Sequence, residues 1–578
     1  MIEMPDIDQA TVSDRRTMAQ MEGARLPVCI RIGVCAVVIL AVASFGLAFF
    51  LPVYTDEIVW KMTQGRLGYD GFQTLLLTAL PSCGDYGVSP PLALVPFRAL
   101  DTALFEWVSN PMPIRLTGEI YLLLWLGITG YMLRRTFPRT ISSWVIAGAL
   151  LSFVTLGVMP FLLAISRPEQ PLLIGATILL LLCVGSASPR PKPLAREIGA
   201  AIALVLVSGL ILAAHPRAIF VLPLVVLAII KTCRRRGLAV VATLAVGFLA
   251  FVVYGDWSAR WACPADPIDR RMLEFANVGL AATAGDLGAF FSQLVDKLLF
   301  DPGHFFYLSQ YGFYSDHTSG IVPPYPYRGI ALILTLLIAA LSAAFVSVGF
   351  FAFLTSLNRF RKDLRDPFVV LGIGFSWVFL GLALFSRIYK NDYEVELIEP
   401  LAMLVSVLSI WKAYSGIPNN SHRRPQIIKL SWIAFITLLA TSAVSQFALL
   451  AGYAPLIGGP WTTPGYLANQ KFSVPEFGYD RVRDEILATA QMCGIDPLRH
   501  PRHLVVDELT YFALRQSYQP FVMTYLVGAW GKDIPNLKTF LKEKGSAGVV
   551  VGCQAMPESL KDGAVQNGAF CCLPLGSG

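Results

Sequence analysis

The stretch that decides the fold runs from Phe49 to Phe72, FFLPVYTDEIVWKMTQGRLGYDGF, where an apolar run stops and two adjacent carboxylates follow, Asp56 and Glu57. The apolar run before it, residues 32–51, has about the 20 residues that cross a hydrocarbon core as a helix. The stretch therefore predicts a membrane helix that ends at a membrane surface beside an acidic pair.

The composition is that of a protein with many membrane helices. Of the 578 residues, 55% are hydrophobic and 15% are charged, which is too apolar for ordinary soluble domains. Apolar runs of spanning length predict about eleven helices. They lie at residues 32–51, 114–133, 141–165, 170–187, 198–214, 218–230, 238–254, 329–355, 367–386, 396–412 and 430–451. We expect an α-helical polytopic membrane protein with a membrane domain over residues 32–451.

Basic residues predict the orientation, because Lys and Arg near span ends stay on the cytoplasmic side. Their clusters fall in every second loop. Residues 1–31 are therefore predicted to be cytoplasmic, whereas the large loops 52–113 and 255–328 and the tail 452–578 are predicted to lie outside. The same clusters account for the net charge of +7, so this charge does not indicate a nucleic-acid partner.

The tail, residues 452–578, is predicted to be a small extracytoplasmic α/β domain. The segment HLVVDE at 503–508 is typical of a short strand, and NLKTFLKEKGSAGVVVGC at 536–553 of a helix, a glycine turn and a buried strand. The tail holds four cysteines, at 493, 553, 571 and 572. An oxidising compartment favours disulfides among them, and all three pairings stay open. No Asn-x-Ser/Thr sequon occurs in the outer segments, which favours a bacterial inner membrane with a periplasmic outer face.

The acidic pair has two interpretations. Asp56 and Glu57 can cap a short helix, DEIVWKMTQGRL, whose dipole favours acids in its first turn. Alternatively, one of them is a general base that faces a lipid-borne substrate. Position along the chain does not decide between these roles.

Three motifs bear on that choice: TDE at 55–57, SPPLALVPFRAL at 89–100 and SRIYKNDYEVELIEPLAML at 386–404. Together with the predicted topology, they resemble the GT-C superfamily of integral-membrane glycosyltransferases, especially the protein O-mannosyltransferase and lipid A aminoarabinose transferase branch. The resemblance covers residues 30–410 in outline. It implies a sugar donor carried on polyprenyl phosphate, Asp56 as the catalytic base and Glu57 as a supporting acid.

Two positions depart from the family pattern. Ser89 stands where relatives place a Lys or His before Pro-Pro-Leu, and Val59 stands where the aminoarabinose transferases have an Arg three positions after the catalytic Asp. The donor phosphate must then be bound by other cations.

The phosphate that leaves the sugar gains negative charge, which positively charged side chains at the outer membrane edge would stabilise. The candidates for this role are Arg66, Arg167, His215, Arg217, Arg387 and Lys390. Each has an alternative role as an interfacial residue whose charge reaches the lipid headgroups. Arg217 and Arg387 are the strongest, because each lies in an outer loop that is otherwise poor in basic residues.

Cofactor and partners are less determined by the sequence. A divalent cation (Mg²⁺, Mn²⁺ or Ca²⁺) held by Asp56 and Glu57 with Asp85, Asp301 or Asp316 stays an alternative, since no ligand spacing supports it. The expected partners are the lipid bilayer, a polyprenyl-phosphate-linked sugar and a glycan, lipid or protein acceptor.

The rival functions are a transporter or flippase for lipid-linked sugars and an O-antigen ligase or polymerase. A transporter would place its charges near the bilayer midplane, whereas the charges here gather at outer helix ends.

Overall fold

The structure, a computed structural model, describes part of the chain. The described residues are 28–49, 116–136, 169–185, 193–214, 216–260, 437–451 except 438 and 449, 479–496, 504–507, 510–514, 520–527, 533–543 and 545–576, with isolated positions between 146 and 163 and between 288 and 405. Of the predicted spans, those at 141–165, 329–355, 367–386 and 396–412 lie outside the described residues except for such isolated positions.

Apolar helices make up the first half of the described structure. They are α1 (Val28–Phe49), α2 (Leu116–Thr136), α3 (Glu169–Gly185), α4 (Leu194–Ala214), α5 (Leu222–Thr232) and α6 (Arg236–Arg260), with a 3₁₀ turn at Pro216–Val221. Three stretches within them are long and apolar enough to cross a membrane, Arg31–Ala48, Leu194–Leu212 and Arg236–Val253. Helices are therefore confirmed at the predicted spans 32–51, 198–214 and 238–254.

Helix α3 lies at the centre of the described bundle. It packs against α2, α4 and α5, and it is buried on most sides, as Leu172, Ala176 and Leu180 show. A helix that is apolar all round must be enclosed by other apolar groups. By contrast, α4 and α6 expose Leu206, Leu244 and other large apolar side chains, as expected of helix faces that meet lipid.

The directions of α3 and α4 follow from one close contact. A Cβ added at Gly175, in the second turn of α3, would overlap with Cγ2 of Ile211, in the last turn of α4. The start of α3 therefore lies beside the end of α4. Close backbone approach at a glycine is the usual way in which membrane helices gain packing area.

The predicted span 218–230 is split into two elements. The 3₁₀ turn Pro216–Val221 leads directly into α5, which carries Pro223 in its first turn. Proline lacks the N–H that an α-helix interior needs and is tolerated only near a helix start. The apolar run is thus continuous in sequence but changes helix type at Leu222.

The C-terminal part holds a five-stranded sheet with helices on both faces. Its elements are α7 (Tyr479–Met492), β1 (Leu504–Val506), α8 (Tyr511–Leu514), β2 (Pro520–Val522), α9 (Met523–Leu526), α10 (Leu537–Glu543), β3 (Gly548–Gly552), α11 (Glu558–Lys561), β4 (Val565–Asn567) and β5 (Phe570–Pro574). The strand order is β2-β1-β3-β5-β4. The first three strands are parallel, and β5 runs antiparallel to both β3 and β4. The strands predicted within HLVVDE and at GVVVG are confirmed as β1 and β3.

Each face of this sheet has its own apolar core. Val506, Val550 and Phe570 pack with α7 and α8 on one face, whereas Val505 and Val549 pack with α9, α10 and α11 on the other. Alternate residues of a strand point to opposite faces, so strands with buried side chains at every position read as unbroken apolar runs. The turn predicted before β3 contains Gly545 at φ 69°, a conformation that glycine adopts without steric cost.

Candidate functional site

The best-defined candidate region is the end of the bundle where α3 begins, α4 ends and α5 begins, which we call the Arg217 end. The backbone of Arg217 lies in the 3₁₀ turn Pro216–Val221. Ala218 and Val221 of this turn are fully buried, and the turn packs against α4, α5 and α6. The position of Arg217 along the bundle is therefore fixed by the packing of this turn.

Helix α3 begins with two polar residues at the same end of the bundle. Glu169 is 4% exposed and Gln170 is 2% exposed. Gln170 donates from Nε2 to the backbone carbonyl of Leu163 at 2.7 Å. Its Oε1 has no hydrogen-bond partner among the described residues. A carboxyl group in the first turn of a helix is favoured by the helix dipole.

Sequence reasoning selected Arg167 from the segment SRPEQP but did not select Glu169 and Gln170. The available signal was their position at the start of an apolar run, since polar side chains within membrane spans are costly and usually functional. Their chemistry differs from that of Arg217: a carboxylate and an amide bind hydroxyl groups, whereas a guanidinium binds phosphate.

A buried hydrogen bond fixes α2 against α3. Trp125 donates from Nε1 to Thr177 Oγ1 at 2.9 Å, and both residues are almost fully buried. Trp125 and Thr177 lie near the middle of their helices, so the bond joins α2 and α3 halfway along their lengths. Arg134 lies near the end of α2, beside a loop that the sequence predicts to be cytoplasmic.

Most of the sequence-predicted site residues cannot be placed around this region. Asp56, Glu57, Arg66, Arg167, His215, Arg387 and Lys390 lie outside the described residues, as do the alternative cation ligands Asp85, Asp301 and Asp316. Within the described ranges, no group of three or more His, Cys, Asp or Glu side chains is placed to hold a metal ion.

The C-terminal sheet contains a buried acid, Asp507, directly after β1. Its Oδ1 accepts from the N–H of Thr510 at 2.8 Å, and its Oδ2 accepts from the N–H of Gly552 at 2.6 Å. Thr510 Oγ1 in turn donates to the carbonyl of Val550 at 2.7 Å. Asp507 thus joins the end of β1 to the end of β3, and its role is structural.

Two disulfides lie in the same sheet. Cys493, just after α7, pairs with Cys572, and Cys553 pairs with Cys571. Cys571 and Cys572 are neighbours on β5, so their side chains lie on opposite faces. The structure thereby selects one of the three pairings that the sequence left open.

Two solved structures match this chain over most of its length. One is the crystal structure of ArnT from Cupriavidus metallidurans bound to undecaprenyl phosphate, at 14% identity and a TM-score of 0.48, which covers 95% of this chain and 98% of that chain. The other is the Archaeoglobus fulgidus oligosaccharyltransferase in the apo form, at 14% identity and a TM-score of 0.42, which covers 90% of this chain and 69% of that chain. No protein-family model and no curated protein sequence matches the chain.

Both matched proteins are GT-C glycosyltransferases, a lipid A aminoarabinose transferase and an archaeal oligosaccharyltransferase. At this identity and these TM-scores, the likeness transfers no site residue, substrate or activity to the chain.

Proposed function

We propose that the protein is a membrane glycosyltransferase that moves a sugar from a polyprenyl-phosphate donor to a lipid, glycan or protein acceptor at the outer face of a bacterial inner membrane. The observation that carries this proposal is the position of the acidic pair. Helix α1 ends at Phe49, so Asp56 and Glu57 follow within a few residues of the membrane surface. A base at that surface meets a substrate whose lipid tail stays in the bilayer.

Asp56 accepts the proton of the acceptor hydroxyl in this proposal, and Glu57 supports it. Sugar transfer passes through an oxocarbenium-like centre, with a new bond to the acceptor oxygen and a broken bond to the phosphate oxygen. The departing phosphate gains negative charge, which positive groups stabilise. Arg217 is the first candidate for this contact, with Arg387, Lys390, Arg66, Arg167 and His215 as the further ones.

The orientation rests on two independent features. Basic residues gather in the turn between α5 and α6, at the end of the bundle away from Arg217, and such clusters stay cytoplasmic. The tail carries two disulfides, and disulfides persist in oxidising compartments such as the periplasm. The basic turn supports a periplasmic location for the Arg217 end, and the disulfides support one for residues 452–578.

The test is sugar transfer by the purified full chain in lipid vesicles. Radiolabelled polyprenyl-phosphate sugars are offered with membrane-extract acceptors, and transferred label is counted. The parent should transfer label from at least one donor, and Asp56→Asn should lower the initial rate by roughly two orders of magnitude or more, the usual contribution of a general base. Glu57→Gln should cost less.

The capping interpretation makes the opposite prediction, because Asn caps a helix about as well as Asp. A fully active Asp56→Asn protein with parental thermal stability would refute the catalytic assignment. Label that crosses the bilayer without a change of carrier would instead identify a flippase. Label joined to a polymeric glycan that is still on its polyprenyl carrier would identify a polymerase, and transfer of a whole glycan from the carrier to another lipid would identify a ligase.

Arg217 has its own test in the same assay. Arg217→Ala should raise the KM for the lipid donor, because a charge-assisted contact to phosphate is lost. Arg134→Ala, which removes the same charge from the predicted cytoplasmic end of α2, serves as the control and should leave the KM unchanged. An unchanged KM in Arg217→Ala would assign this residue to interfacial positioning only.

A further inference from the structure

Three helix ends meet at the side of the bundle away from Arg217, which we call the Arg235 end. Helix α4 begins there, α5 ends there and α6 begins there, and the three helices pack against one another. The carboxylate of Glu197, in the first turn of α4, accepts from the backbone N–H of Arg235 at 3.4 Å. This contact joins the start of α4 to the turn between α5 and α6.

The joined segments are strongly basic. They contribute Arg196 from α4 and Lys231, Arg234, Arg235 and Arg236 from the turn and its flanking helix ends. The four arginines are exposed and Lys231 is half-buried. Glu197 is the one acid in residues 193–201 and 231–241, and it is 3% exposed. Five positive charges against one negative charge leave a formal charge of +4 at the junction.

Exposed apolar side chains border these cations. Leu194 and Ile198 lie in the first turns of α4, Ile230 in the last turn of α5, and Val240 and Val241 in the first turns of α6, and all are exposed. The junction therefore presents a cationic rim directly beside an apolar surface. An anionic phospholipid has the complementary form, with a negative phosphate next to acyl chains.

We propose that the Arg235 end binds the headgroup of an anionic membrane phospholipid. The phosphate contacts the exposed arginines of the α5–α6 turn, and the acyl chains lie against the apolar residues of α4, α5 and α6. Orientation during insertion accounts for basic residues on this side. It does not require that the arginines of two chain segments be joined by a buried carboxylate. The proposal is independent of the reaction catalysed.

The experiment is native mass spectrometry of the full chain in detergent, titrated with phosphatidylglycerol and with phosphatidylcholine of identical acyl chains. The parent should retain phosphatidylglycerol preferentially. Each basic residue near an anionic lipid contributes roughly fivefold in affinity, so the variant with Arg234→Gln, Arg235→Gln and Arg236→Gln should bind it roughly 100-fold more weakly. The Arg→Lys version of the same three changes should restore most of the binding, since charge attracts the lipid.

Matched controls separate binding from misfolding. Arg134→Gln with Arg135→Gln removes charge near the end of another helix and should leave the affinity unchanged. Arg235→Gln alone, with a loss of roughly fivefold, tests the proposal if the triple variant is poorly inserted. Equal binding of both lipids by the parent, or parental affinity in a well-folded triple variant, would overturn the proposal. Full displacement of the lipid by millimolar inorganic phosphate would also contradict it, because the acyl chains would then contribute nothing.

Discussion

Replacement of Asp507 by asparagine tests whether this buried acid holds the C-terminal sheet together. Asp507 is 1% exposed and accepts one backbone N–H on each carboxylate oxygen, from Thr510 and from Gly552. Asparagine has one acceptor oxygen, and its amide nitrogen would face a second N–H group. One buried N–H therefore loses its acceptor whichever way the amide is turned.

The expected cost follows from this geometry. A buried donor without a partner costs about 1–3 kcal/mol, and bonds to a charged acceptor lie at the upper end, so we expect about 2–3 kcal/mol. Amide hydrogen exchange reports local opening. Exchange of the β1 and β3 amides should therefore become roughly 30- to 150-fold faster, since 1.4 kcal/mol is a factor of ten.

The measurement is hydrogen–deuterium exchange of the full chain, read on peptides that contain β1 and β3. Asp562→Asn is the matched control, because Asp562 is exposed and the change removes the same charge from the same domain. Its exchange should stay within about twofold of the parent, as for surface changes generally. An Asp507→Asn protein whose β1 and β3 amides exchange as slowly as in the control would show that the two hydrogen bonds do not stabilise the sheet.

Two further pairs of variants test other contacts. Cys572→Ala opens a loop with a sequence separation of 79 residues, and Cys553→Ala opens one of 18. Loop entropy predicts that the free energy of unfolding falls by about 4.5 kcal/mol in the first variant and by about 3 kcal/mol in the second. Thermal unfolding should therefore show Cys572→Ala to be the less stable variant, and the opposite order would contradict the entropic account. Gly175→Ala should lower the thermal stability of the membrane part because the new methyl group overlaps with Ile211, whereas Gly247→Ala in α6 meets no atom within 4 Å and should be neutral or slightly stabilising; equal melting temperatures for the two variants would exclude close packing of α3 on α4.

Long apolar runs made the helices predictable, because a membrane leaves a continuous helix as the only way to satisfy the backbone of such a run. Helices α1, α4 and α6 lie where the runs at 32–51, 198–214 and 238–254 placed them. Where proline intervenes, the composition alone was insufficient: the run at 218–230 begins in a 3₁₀ turn and becomes α-helical at Leu222.

In the C-terminal sheet, the strands that could be predicted from the sequence are those buried on both faces. Strands β1 and β3 carry unbroken apolar runs because both of their faces are covered. Strand β2 was not predicted, since three residues at Pro520–Val522 are too few to show a period. Disulfide pairing was also beyond the sequence, because it depends on which face of β5 each cysteine occupies.

Candidate site residues were harder to identify, both from the sequence and from the structure. Asp56, Glu57 and the outer cations were predicted from sequence motifs and from the position of their charges at helix ends. The burial of Glu169 and Gln170 could not be read from the sequence, because an acid and an amide at a helix start are equally common on exposed surfaces. Only the packing of α3 among its neighbours distinguishes the two cases.

The adjacent cysteines of β5 make disulfide formation depend on the register of this strand. A slip of β5 by one residue would exchange the faces of all its side chains, so Cys571 would lie on the face of Cys493 and Cys572 on the face of Cys553. In either slipped register, at most one cysteine would take the place of the other, so both disulfides form together only when β5 is correctly aligned. Once formed, the two disulfides therefore hold β5 in its native register.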